Sequence, residues 1–137
     1  MPFVVDASVA VGWFSPDERH PIADASFHLM GFDSVVTSVL WWYELRNVLM
    51  VNERRGRLDN AKTAGVLRLL RGLPIAIDAD VEEEMLMQLA RRHGLTVYDA
   101  AYLELALRKR YPLATLGTAL ANAARAERVP LIGDDQK

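Results

Sequence analysis

The stretch Phe3-Val4-Val5-Asp6-Ala7-Ser8 decides how the rest of the chain is read. Its apolar start, rich in β-branched side chains, has the character of a short buried strand. The strand ends on a carboxylate. Ser8 then opens a run, Val9 to Phe14, with no turn signal before Ser15-Pro16. A strand that stops at an Asp and passes straight into a helix puts that Asp at the carboxyl edge of a sheet. In open α/β folds this edge is where ligands bind. Asp is also a common helix cap, so the stretch alone leaves both roles open.

Outward from it, strands and helices alternate. Ser15-Pro16-Asp17 breaks the first helix and starts a second, through about Met30. Val35-Val36-Thr37 is the second strand. A long helix runs from Val39 to Arg55 and is closed by Gly56. After Leu58-Asp59-Asn60 another helix reaches Arg71. Ile75-Ala76-Ile77 is the third strand, followed by Asp78-Ala79-Asp80 and a helix to His93 and Gly94. Thr96-Val97-Tyr98-Asp99 has the form of a capping box and opens a helix to about Tyr111. Pro112 to Thr115 is a fourth strand, Ala119 to Glu127 a helix, and Val129 to Ile132 a fifth strand. This alternation implies a mainly parallel sheet with helices on both faces.

The 137 residues fit a single domain, residues 1–137, with a real core. A hydrophobic content of 51% with 25% charged residues excludes a disordered chain. No apolar run is long enough to span a bilayer, and no basic segment precedes the first apolar stretch, so no membrane partner and a cytoplasmic location are expected. Without cysteine, thiolate metal sites and thiol nucleophiles are excluded. The net charge of −2 does not advertise nucleic acid. Charge is uneven, however. Residues 53–71 carry Arg54, Arg55, Arg57, Lys62, Arg68 and Arg71 against Glu53 and Asp59. Such a segment can bind phosphate or simply form a solvated helix face.

Three acids fall where apolar residues are expected. At helical spacing from Glu44 stand Leu40, Trp41, Asn47, Val48 and Val51, which puts Glu44 on an apolar face. Asp99 has Tyr102, Leu103 and Ala106 on its stripe. Asp6 ends a buried strand. An unpaired buried carboxylate costs several kcal/mol, so each needs a partner. Arg46, two positions from Glu44, points away from it. Acids sharing one site repel, and a divalent cation resolves the repulsion. Oxygen-only donors suit Mg²⁺ or Mn²⁺. Such an ion holds a phosphate oxygen and acidifies a coordinated water, which points to phosphodiester chemistry. Asn47, one turn beyond Glu44, could steady a water or a carboxylate. Each acid also has a plainer reading: a cap for Asp6 and Asp99, a buried hydrogen bond or salt bridge for Glu44. Trp13, Trp41, Trp42 and Tyr43 read as core or subunit interface. His20, His28 and His93 show no metal-ligand spacing.

Asp6-Ala7-Ser8 after the first strand, Glu44-Leu45-Arg46-Asn47-Val48-Leu49 on the long helix, and Gly94 through Leu103 together resemble the PIN domain, in particular VapC-type toxins of bacterial toxin–antitoxin pairs. Arg54 to Leu58, Pro112-Leu113-Ala114-Thr115-Leu116 and Val129-Pro130-Leu131 continue the match, which covers nearly the whole chain. The resemblance implies a three-layer α/β/α sandwich with a five-stranded sheet ordered 3-2-1-4-5. It implies a Mg²⁺- or Mn²⁺-dependent endoribonuclease that cleaves RNA, is held inactive by a cognate antitoxin and forms a homodimer. Asp6, Glu44 and Asp99 match the family's acidic site, with Ser8 and Thr115 as hydroxyl neighbours.

One position departs from the pattern. The family usually carries an Asp directly after Ala-Thr-Leu, where this chain has Gly117. A missing ligand makes two cations harder to hold. Asp134 or Asp135 could substitute from the end of the last strand, or could be a solvated tail. An alternative is therefore a PIN scaffold with reduced or lost catalysis that binds RNA or a partner. A phosphatase using Asp6 as nucleophile is disfavoured, because Ser8 stands where a second Asp is usual.

Overall fold

The computed structural model describes residues 1–134. Strand β1, Phe3–Val5, lies at the centre of a four-stranded parallel sheet, between β2 (Val35–Ser38) and β4 (Leu113–Ala114). Strand β3 (Ile75–Asp78) pairs with β2 and gives the order β3-β2-β1-β4. Successive strand residues point to opposite faces, yet Phe3, Val4 and Val5 are all buried. Both faces of the sheet centre are therefore covered, as the alternating pattern requires.

The expected fifth strand contracts to a single parallel bridge, Leu131 beside Leu113. Leu113 donates to Pro130 O and accepts from Ile132 N, so the segment lies where the 3-2-1-4-5 order puts it. Pro130 has no N–H to extend the ladder, and Gly133 (φ +82°) turns the chain away.

The helices follow the sequence closely. They are α1 (Ala7–Phe14), α2 (Pro21–Leu29), α3 (Val39–Arg54), α4 (Asn60–Arg71), α5 (Glu83–His93), α6 (Val97–Lys109) and α7 (Thr118–Ala126). A 3₁₀ turn over Pro16–Glu18 takes up what reads as the start of α2. The helix itself begins at Pro21, where a proline loses no needed hydrogen bond. Helix α1 packs on α2 and α3, while α6 crosses β1, β2 and β4. The α1–α2 approach is close: a Cβ on Gly12 would meet Ala23 Cβ at 2.7 Å. Gly94 (φ +62°) ends α5 in the left-handed conformation and lets the chain reverse into α6.

On α3 the buried stripe is Trp41, Leu45 and Leu49. Glu44 is only half-buried, at the margin of that stripe rather than within it. Trp42 and Tyr43 are exposed on the same helix, whereas Trp13 stacks edge-on with Phe27. Helix α6 is fixed to the end of β3 by charge. Arg108 pairs with Glu104, which is 1% exposed, and with Asp78 at the strand's end.

Candidate active site

Asp6 leaves β1 at the carboxyl edge of the sheet and caps α1. Its Oδ1 accepts from Val9 N at 3.1 Å and from the Ser8 hydroxyl at 2.7 Å. Its Oδ2 accepts from the Thr115 hydroxyl, just beyond β4. Both hydroxyls are themselves held by backbone: Leu116 N donates to Ser8 Oγ at 2.9 Å and Gly117 N to Thr115 Oγ1 at 3.0 Å. A carboxylate oxygen has two lone pairs. Oδ1 is thus filled, and Oδ2 keeps one free acceptor position.

Asp99 stands in the first turn of α6, where Thr96 Oγ1 caps its N–H at 3.0 Å. Burial pushes the Asp99 carboxyl up. Burial also pushes Asp6 up, and the Asp99 charge adds to it. The hydrogen bonds from Ser8, Thr115 and Val9 N oppose that rise. The two acids therefore feel each other across the sheet edge.

Glu44 joins them through Tyr102. The tyrosine is 2% exposed, and its hydroxyl donates to Glu44 Oε1 at 2.5 Å. Burial, the bond to Glu44 and the nearby charges of Glu44 and Asp6 push the phenol far above its ordinary value. It keeps its proton and remains a donor. Asp6, Glu44 and Asp99, remote in sequence, thus share one corner of the fold with Ser8, Thr115 and Tyr102. Among the described residues no lysine, arginine or histidine pairs with any of the three acids.

The sequence points to five of these residues but passes over Tyr102 as an apolar neighbour of Asp99. The available signal was its polar tip on an otherwise apolar stripe, because a buried tyrosine hydroxyl needs a partner. Asn47 takes a different place. It is exposed and makes no hydrogen bond to Glu44. Instead it lines a cavity of about 370 Å³ with Val11, Phe14, Val51, Asn52 and Arg55. The reason is its angle on α3, farther from the buried stripe than Glu44. Asp134 is paired with Arg125 of α7 at 3.3 Å, and Asp135 lies outside the described residues.

The donor set fits a hard divalent cation in chemistry: oxygen atoms only, uncompensated negative charge and mutual repulsion. As placed, no three acidic or histidine side chains among the described residues close around one point. A full protein cage is not required for Mg²⁺, which is commonly bound by one or two carboxylates with waters and substrate phosphate.

The family model described as PIN domain matches residues 3–126 of this chain. The chain belongs to the PIN domain family. Among PIN-type relatives, Ribonuclease VapC3 of Pyrobaculum aerophilum is 34% identical over 125 residues, covering 88% of this chain and 93% of the relative. The crystal structure of PAE2754 from the same organism superposes with a TM-score of 0.71 at 24% identity, covering 90% of this chain and 84% of that one. A toxin–antitoxin complex from Klebsiella pneumoniae gives a TM-score of 0.56 at 18% identity over 85% of this chain and 87% of its own. These structures support the PIN fold that the sheet order describes.

Proposed function

We propose that this chain is a metal-dependent endoribonuclease of the VapC kind, a toxin neutralised by a cognate antitoxin. The observation that carries the reading is the meeting of Asp6, Asp99 and Glu44 at one sheet edge with no cation paired to them among the described residues. Asp6, Glu44 and Asp99 would hold Mg²⁺ or Mn²⁺. The ion, when bound, supplies Lewis-acid polarisation of a phosphoryl oxygen and a more acidic water. The chain's own residues prepare the site. Ser8, Thr115 and Val9 N fix the Asp6 carboxylate and leave one acceptor position on Oδ2. The Thr96 cap fixes the turn that carries Asp99. Similarity to Ribonuclease VapC3 supports RNA as the substrate.

The toxin–antitoxin complex among the structural relatives supports an antitoxin partner. The cavity along α3, which runs from Asn47 to Arg55 and is lined by apolar side chains with Asp17, Glu18, Arg55 and Arg57, would accommodate a peptide segment. Exposed Val39, Trp42, Tyr43 and Met50 on α3 support a homodimer. No helix among the described residues is long and apolar enough to cross a membrane.

Gly117 favours a second reading, a PIN scaffold of reduced catalysis that binds RNA or a partner. Cleavage of an RNA panel with Mg²⁺ or Mn²⁺ separates the two. Cleavage by the natural chain that is lost in Asp6→Asn supports the nuclease. No cleavage until Gly117→Asp is introduced supports the scaffold.

A further inference from the structure

We infer that Tyr102 is a positioning residue for the acidic site, whose hydroxyl holds the Glu44 carboxylate toward Asp6 and Asp99 without cancelling its charge. The inference rests on the metal-dependent reading above and assigns a role to a residue outside the acid set. Glu44 arrives from α3 and Tyr102 from α6, 58 positions apart in the chain. A glutamate at the margin of a buried stripe has several side-chain rotamers available. On the hydrogen bonds present among the described residues, one donor selects among them, the Tyr102 hydroxyl on Oε1. Oε2 has no donor among the described residues.

The chemical type of that donor matters. An arginine or lysine in its place would hold Glu44 as firmly, but would contribute a positive charge that competes with a metal ion. A phenol orients the carboxylate and leaves its full negative charge in place. The tyrosine ring is buried among the apolar side chains of α6 and the sheet, so the hydroxyl is a fixed point rather than a mobile one. Neutral donors hold Asp6 in the same way, through Ser8 and Thr115. Two of the three acids, Asp6 and Glu44, are thus aimed by neutral hydroxyls, and among the described residues no cation pairs with them.

The ordinary alternative is a core tyrosine that has merely found an acceptor. Tyr102→Phe separates the two because it keeps the ring and removes only the donor. Tyr102→Leu removes both and reports on packing. Mn²⁺ binding is measured by calorimetry for the natural chain, both Tyr102 variants and Glu44→Gln, alongside thermal melts without metal and RNA cleavage. A positioning role predicts Mn²⁺ binding and cleavage about ten-fold or more weaker in Tyr102→Phe, the usual size of such effects. It also predicts little further loss of Mn²⁺ affinity in Tyr102→Leu, whose melt falls more. Tyr102→Phe with unchanged Mn²⁺ affinity, while Glu44→Gln is weakened, overturns the inference and leaves the nuclease reading standing. Unchanged Mn²⁺ affinity in Glu44→Gln overturns the role of Glu44 in metal binding and the inference with it.

Discussion

Thr115 and Asp6 are 109 positions apart, yet the hydroxyl of one donates to Oδ2 of the other at the junction of β4, β1 and α1. The hydroxyl also accepts from Gly117 N. Thr115→Val keeps the shape and removes both interactions, leaving a buried carboxylate one donor short. A hydrogen bond to a charged group is worth about 1.5–3 kcal/mol. The variant is expected to lose stability of that order in urea unfolding at neutral pH. Thr115→Ser, which retains the hydroxyl, should recover most of it. A loss in Thr115→Ser with Thr115→Val left as stable as the natural chain would show that the methyl group, not the hydroxyl, is what matters.

Asp6 gives a pH dependence of definite sign in the metal-free protein. Its carboxyl is raised in the folded state, mainly by burial. The unfolded chain therefore loses its proton first as pH rises. Stability is full below the ordinary value of 3.8 and falls as pH rises through the higher folded value. Asp99 adds in the same direction. Asp6→Asn keeps an oxygen for the α1 cap and removes the charge. It should be more stable than the natural chain at neutral pH, and the gap should close toward pH 4. A melt series over pH with chelator present tests this. A gap that widens on acidification contradicts it.

The Arg108 cluster predicts the opposite sign. Arg108, through its hydrogen bonds, holds the Asp78 carboxyl below the usual range. The contribution of Asp78 is therefore present above 3.8 and lost as pH falls through the lower folded value. Glu104 beside it is buried, so Arg108→Ala strands a carboxylate in the core. Breaking a buried pair from one side costs about 3–5 kcal/mol. Unfolding of Arg108→Ala at pH 7 should show a loss of that size. A change below 1 kcal/mol would mean the cluster is already solvated.

Much of this architecture was legible before any coordinates, and the exceptions have physical causes. The Phe3–Asp6 stretch gave the central strand because burial on both faces leaves an unbroken apolar run. Glu44 and Asp99 stood out because an acid beside an apolar stripe is costly. Helical spacing could not tell the centre of that stripe from its margin, so Glu44 read as more buried than it is, and Asn47 as nearer to it. Tyr102 was hidden for another reason. Its ring fits an apolar pattern, and its hydroxyl meets Glu44 only through tertiary contact. Val129 to Ile132 has strand composition, but Pro130 and Gly133 limit it to one bridge.

Gly117 stands where the resemblance to VapC-type PIN domains implies an Asp, and its surroundings leave room for one. It caps α7 with φ −74° and ψ 124°, a conformation open to any residue, and no side chain closes the cap. A Cβ there would lie 3.4 Å from Thr115 Oγ1 and 3.9 Å from Leu120 Cβ, both tolerable. In Gly117→Asp the new carboxylate caps α7, a gain of a few tenths of a kcal/mol over Gly. It also stands beside the hydroxyl that serves Asp6, so repulsion offsets the gain. The metal-free melting temperature should therefore change little. With Mn²⁺ the balance is expected to reverse, because on the proposed reading the ion sits at Asp6, Glu44 and Asp99 and Gly117→Asp adds an oxygen donor beside them. Binding about ten-fold tighter would add about 1.4 kcal/mol of protection at saturating ion. Calorimetric titration with Mn²⁺ and melts at matched ion concentration measure both. Unchanged Mn²⁺ affinity would place residue 117 outside the metal-binding corner, and the glycine would then have no bearing on activity.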